Sequence, residues 1–352
     1  MSNRTVFESL QVFRGIAAIA VVLHHGALST DAFVGAVPSL SRYLQIGYLG
    51  VDFFFVLSGF IICHAHADDP TEAGAARAYI VKRLIRVFPG YLPIALVLML
   101  AYVLLPGLSA SGGREYSVAS SLFLVPADAP PVLSVAWTLV HEMVFYTIFL
   151  AYFFARRVFP LLMAVWAGAN FLALLGYAPQ GWMSYLMSPL NLEFIFGMLA
   201  ATAFKRGTGQ HLSPQTVAGA GLLTALAGVW MIGADAGDAC RVIFGLGMAL
   251  LVLGAVRLDL RRSGRSSEWM LLLGSASYAI YLVHNPLLSL TQRVLARLAI
   301  GWLPSCLIGV AIALLFGFVY FHFVETPALR WIRRQPTVVR LGRASSPGSQ
   351  QA

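Results

Sequence analysis

Long apolar runs recur along the chain, separated by short clusters of glycine, proline and charged residues. A helix rises about 1.5 Å per residue, so about 20 apolar residues cross the hydrocarbon core of a bilayer. On that measure the pattern predicts ten spans, at residues 11–28, 47–67, 90–106, 135–155, 158–176, 185–204, 214–233, 239–256, 269–289 and 302–323. The expected fold is an all-α polytopic membrane protein with about ten transmembrane helices. The connections are short, so residues 1–335 read as one membrane domain. The longest connection, 107–134, carries SASGG and ADAPP and is expected to form a partly irregular outer cap. Residues 336–352, with RASSPGSQQA, read as a polar tail expected to be disordered. No internal repeat of the sort that marks many secondary transporters is visible.

Charge adds orientation. Of the 352 residues, 59% are hydrophobic and 11% charged, a balance that excludes a soluble domain of this length. Basic residues gather in alternate connections: Arg77, Lys82, Arg83 and Arg86, then Arg156 and Arg157, Lys205 and Arg206, Arg257 to Arg265, and Arg330 to Arg343. The other connections hold only Arg42, Arg114, Arg241, Arg293 and Arg297. By the positive-inside rule both termini are expected in the cytoplasm. The net charge of +9 is then topology signal and attraction to anionic membrane lipid, with no call for nucleic acid. Arg14 interrupts the first apolar run and no small-residue cleavage site follows, so a retained first helix is expected rather than a signal peptide. Cys63, Cys240 and Cys306 lie within or at the ends of spans without metal-ligand spacing, so neither a disulfide framework nor a metal is expected.

Ionisable residues inside spans are costly and point to function. Here they include Arg14, His24, His25, Asp52, His141, Glu142, Glu193 and His284. In a helix Arg14 and His25 share one face about 16 Å apart along the axis, while His24 points about 80° away from Arg14. Ala18 and Val21 between them are small enough to leave space for something slender beside the helix. Asp52 and Glu142 fall at the depth of His25 on the expected outer side, where a carboxylate beside an imidazole would make a general base. Ser277, Tyr281 and His284 share a face, extending an outer polar chamber. In VKRLIRVFPGYL, Arg83 and Arg86 lie three apart, and arginine forks suit phosphate.

Plainer readings stand beside these. The basic cluster before a span serves as a topology signal, and His25 can solvate at the interface. Glu142 can lock helices together, Asp52 can start a helix, and Glu193 can pack or pair with a cation. His284 can bond a neighbouring helix, and Trp137 suits either the membrane interface or stacking on a sugar. In VETPALRW, Glu325 reads as a helix end with a cation partner.

FRGIAAIAVVLHH, GVDFFFVLSGFII, KRLIRVFPGY, AWTLVHEMVFY, LEFIFGMLA, GSASYAIYLVHNPLL and HFVETPALRW occur in that order over residues 8–334. Together they resemble the acyltransferase 3 family. Thr138 stands where the family usually has serine, which keeps the hydroxyl. The resemblance implies a multi-pass enzyme of the bacterial plasma membrane. It would move an acyl group, commonly acetyl from acetyl-CoA, onto a hydroxyl, often of a glycan. Residue by residue it implies Arg14 and His25 as the first-span pair, Arg83 and Arg86 as the CoA-phosphate site, and Trp137 and Glu142 as the fourth-span motif. From the length that follows the last span, the additional esterase-like domain of some relatives is not expected here.

The expected mechanism has acyl-CoA enter from the cytoplasm, with its phosphates held by Arg83, Arg86 and Arg14 and its arm running along the first span. His25, oriented by Glu142, would deprotonate the acceptor hydroxyl, or carry the acyl group itself. Asp52, Trp137, Tyr281 and His284 would line the acceptor side. The acceptor expected is a cell-envelope glycan, exopolysaccharide, lipopolysaccharide or lipid-linked sugar, with polysaccharide-assembly proteins as partners. A sugar-bearing secondary metabolite is the alternative. A transporter of glycan or lipid, or a non-catalytic scaffold, would use the same buried charges without cleaving a thioester.

Overall fold

The computed structural model describes residues 7–105, 115–177, 179–232, 237–261 and 266–336, which are helical and contain no strand. The SASGG part of the expected cap, the tail from 337 onward and Arg4, Arg114, Arg262, Arg265, Arg340 and Arg343 lie outside the described residues. In chain order the helices are α1 (Glu8–Phe33), α2 (Pro38–Gln45), α3 (Gly50–His66), α4 (Ala73–Leu104), α5 (Val118–Phe123), α6 (Trp137–Phe149) and α7 (Phe159–Leu174). They continue as α8 (Asn191–Arg206), α9 (Pro214–Ile232), α10 (Asp238–Asp259), α11 (Glu268–Arg297), α12 (Trp302–Tyr320) and α13 (Thr326–Arg333).

Among the described residues eight helices are long and apolar enough to cross a membrane, and the protein is an all-α polytopic membrane protein. The fifth and sixth predicted spans fall instead on α7 and α8, with 16 residues each. Such helices reach only about 24 Å. The sixth was expected from 185, but Gly181–Tyr185 forms a 3-10 turn and the helix starts at Asn191. The third span starts earlier than its apolar run, because α4 takes in Arg83 and Arg86 before passing through Pro89 and Pro93.

The chain divides into two compact units, Met1–Ala65 with Pro189–Gly317 and His66–Ser188 with Phe318–Ala352. In the first, Phe53, Val56, Leu57 and Phe60 of α3 form a core with Ala200 and Ala201 of α8 and Val252 and Val256 of α10. Two glycines permit the α3–α8 crossing. A Cβ on Gly59 would run into the Phe194 carbonyl, and one on Gly197 into the Val56 carbonyl. Small residues of this kind let helix backbones touch where lipid supplies no hydrophobic drive to pack.

In the second unit the segment around Ser121 and Val132 is pinned to α4. The Tyr91 hydroxyl donates to the Ser121 carbonyl at 2.8 Å, and the Val132 N–H donates to Ser121 Oγ at 2.8 Å. Farther along, α12 passes into a π-helical turn, Phe321–Glu325, before α13. The Tyr320 hydroxyl donates to the Gly90 carbonyl at 2.7 Å, fastening that turn to α4.

Candidate active site

Each unit contains a polar cluster. In the first, α1 is unbroken from Arg14 to His25, so the two residues share a helix face as expected. The space expected between them is absent. Ala18 and Val21 are only 1% and 0% exposed. Gly50 of α3 packs so closely that a Cβ there would lie 2.9 Å from Val21 Cγ2. A small side chain draws the next helix in rather than leaving a groove.

His25 meets His284 of α11. His284 Nε2 is 3.3 Å from His25 Nδ1, and the ring centroids are 4.9 Å apart. His25 Nδ1 is also 3.1 Å from the Val21 carbonyl, and His284 Nδ1 is 2.6 Å from the Tyr281 carbonyl. His24 lies edge-on to His25 with centroids 4.7 Å apart and edge-on to Tyr48 at 5.8 Å. The Tyr281 ring, between Phe54 and His284, completes an aromatic wall.

Asp52 is wholly buried and binds Arg241 of α10 through both oxygens. Glu193 of α8 is also wholly buried, and a Cβ on Gly245 of α10 would lie 2.7 Å from its Cγ.

In the second unit Arg83 lies over the rings of Tyr79 and Tyr146, at 5.7 and 5.8 Å from their centroids. Its Nη2 donates to His66 Nε2 at 3.4 Å, and His66 Nδ1 donates to Asp69 Oδ2 at 2.7 Å. The Tyr146 hydroxyl donates to Glu142 one helical turn away. Arg83 Nε is buried without a hydrogen-bond partner, a donor available to an anion such as a phosphate oxygen. Arg86 Nη1 reaches Glu325 Oε1 at 3.4 Å, supplying the cation partner expected for that helix end. Trp137 lies edge-on to His141 at 5.6 Å, and His141 packs on Tyr185 at 5.0 Å, making an aromatic cluster at the start of α6.

The structure thus brings together His25, His284 and Tyr281 in one unit, and Arg83 with Glu142 through Tyr146 in the other. His25 and Glu142 belong to different units. His66, Tyr79, Tyr146 and Arg241 were not singled out from sequence. Only Tyr146 was within reach, since it stands four residues after Glu142. Among the described residues no three histidine, cysteine or acidic side chains converge as a metal site.

Residues 7–322 match the acyltransferase domain that defines the acyltransferase 3 family. The chain belongs to that family. It is 31% identical to the exopolysaccharide production protein ExoZ of Rhizobium meliloti (strain 1021), over 88% of this chain and 98% of ExoZ. It is 26% identical to the acyltransferase MdmB of Streptomyces mycarofaciens, over 93% of each chain. Protein 2 in the picA locus of Rhizobium radiobacter is 31% identical over 39% of this chain and 78% of that protein. No solved structure matches the chain. Family membership makes the protein a membrane O-acyltransferase, and such an enzyme uses an acyl donor.

Proposed function

We propose that this acyltransferase moves an acyl group, in the simplest case acetyl, from cytoplasmic acyl-CoA to a sugar hydroxyl of a cell-envelope glycan in the bacterial plasma membrane. Its relative ExoZ, named for exopolysaccharide production, favours a glycan acceptor. One observation supports His25 as the base. Its Nδ1 faces the Val21 carbonyl at 3.1 Å. A carbonyl only accepts, so Nδ1 carries the proton and Nε2 keeps a lone pair.

In this reading Nε2 takes the hydroxyl proton as the acceptor oxygen attacks the thioester carbonyl. The new C–O bond forms, the C–S bond breaks, and the leaving thiolate recovers the proton from His25. Arg83, Arg86 and Arg14 serve the donor's phosphates, and the unpartnered Arg83 Nε fits that role. Glu142 holds Tyr146 against Arg83, and Trp137 offers a ring to the acceptor. Asp52, with both oxygens on Arg241, is assigned to holding α3 against α10.

Purified protein with labelled acetyl-CoA tests the reading. His25→Ala is expected to bind the donor and fail to turn it over, while Arg83→Ala/Arg86→Ala loses binding. Undiminished transfer by folded His25→Ala refutes it.

A further inference from the structure

Within its own unit, among the described residues, no carboxylate bonds to His25 as one usually does to orient a catalytic histidine. Its neighbour on α11 is a second imidazole, and the two backbone carbonyls at the pair decide what that imidazole can do. His284 Nδ1 is 2.6 Å from the Tyr281 carbonyl, so it must carry a hydrogen. His25 Nδ1 must carry one too, because it faces Val21 O at 3.1 Å. Between the rings, His284 Nε2 and His25 Nδ1 are 3.3 Å apart. A doubly protonated His284 would set two N–H groups against each other across that gap. A neutral His284, protonated on Nδ1 alone, presents a lone pair instead.

We infer that His284 is a positioning residue for the acyl transfer. It is a neutral imidazole, held in one tautomer by the Tyr281 carbonyl, whose Nε2 shares the single His25 Nδ1–H with the Val21 carbonyl in a three-centre bond and so keeps His25 Nε2 bare for the acceptor hydroxyl. This rests on the reading of His25 as the base. His284 has no exposure, so water cannot substitute for it. When His25 takes up a proton its Nδ1–H becomes a charge-assisted donor, and the bond to His284 strengthens at the stage where charge develops. A carboxylate at this position would strengthen it further but would have to be buried as an ion before any substrate arrived. Among the described residues of this unit His24 also packs on His25, but it meets it edge-on with centroids 4.7 Å apart and supplies no such bond.

Two polar replacements separate acceptor from donor. His284→Gln can place its amide oxygen where Nε2 stood, while His284→Asn is long enough only to reproduce the Nδ1 donor. With labelled acetyl-CoA and purified protein, His284→Asn is expected to lower kcat about 100-fold. His284→Gln should stay within about tenfold of wild type. KM for acetyl-CoA should be unchanged in both, and labelled acetyl-CoA binding reports that each variant is folded. Adding His284→Asn to His25→Ala should cause no further loss, because the residue acts through that histidine.

The inference is overturned if Gln falls as far as Asn, if Asn keeps full kcat, if the loss appears in KM or binding, or if the double variant is slower than His25→Ala alone. Full activity of His25→Ala by itself instead sinks the base assignment. A dead His25→Ala beside a fully active His284→Asn sinks only the role of His284.

Discussion

Arg241 grips Asp52 in a two-pronged pair, Nε to Oδ1 at 2.9 Å and Nη2 to Oδ2 at 3.0 Å, with the Tyr48 ring 5.2 Å from the guanidinium carbon. Asp52 has no exposure, so removing Arg241 would strand a buried carboxylate. Breaking such a pair costs about 3–5 kcal/mol, whereas replacing both members by apolar side chains is often neutral. Arg241→Met is therefore expected to lower the unfolding temperature in detergent sharply, and Asp52→Leu/Arg241→Met to recover much of it. Equal loss in single and double variants would contradict the pairing.

The α3–α8 crossing makes a steric prediction. A Cβ at Gly59 or Gly197 meets backbone carbonyl, which cannot move aside as a side chain can. Gly197→Ala is expected to destabilise by about 2 kcal/mol or more. Gly219→Ala on α9, where nothing lies within 4 Å of the added methyl, should be neutral or slightly stabilising. A thermal shift assay on the two variants compares them directly.

How much of this was open to sequence depends on distance along the chain. The long apolar helices follow from local composition, and the shared face of Arg14 and His25 follows from one unbroken helix. Pairings between remote segments do not. Asp52 and Arg241 are 189 positions apart, and no period or motif links them. The apparent groove beside Ala18 and Val21 failed for the same reason, since small side chains say nothing about which helix will approach. The sixth span was expected from 185 because YLM is apolar enough to begin a helix, yet Gly181–Tyr185, with Gly181 at φ +64°, folds as a 3-10 turn and the α-helix starts at Asn191.

Glu142 and Tyr146 should act as a unit. Tyr146→Phe keeps the ring beside Arg83 but removes the hydroxyl that binds Glu142, and Glu142→Gln keeps an acceptor without charge. Each single change is expected to reduce kcat/KM. The double variant should fall within about 0.5 kcal/mol of the worse single, as for residues sharing one interaction. Additive losses in steady-state kinetics would separate their roles.

Arg83 caps the adjacent rings of Tyr79 and Tyr146 and lies beside His66. Lysine keeps the charge but loses the flat face and the fork. Arg83→Lys is expected to weaken acetyl-CoA binding about tenfold and Arg83→Ala more, with the wild-type affinity falling as salt rises. Equilibrium binding of labelled donor at two ionic strengths measures both. An affinity unmoved by Arg83→Ala would remove this arginine from the donor site.

The α3–α8 crossing also constrains biosynthesis. The chain leaves the ribosome N-terminus first, so α3 enters the bilayer long before Gly197 exists to receive it. Until α8 follows, the notch at Gly59 lies open, and until α10 follows, Asp52 has no guanidinium to meet. The early helices must wait in the insertion machinery or among lipids as an unlocked set. Truncation before α8 should therefore leave a nascent chain that membrane quality control recognises, even though the spans built on α1, α3, α4 and α6 are long and apolar enough to stay inserted.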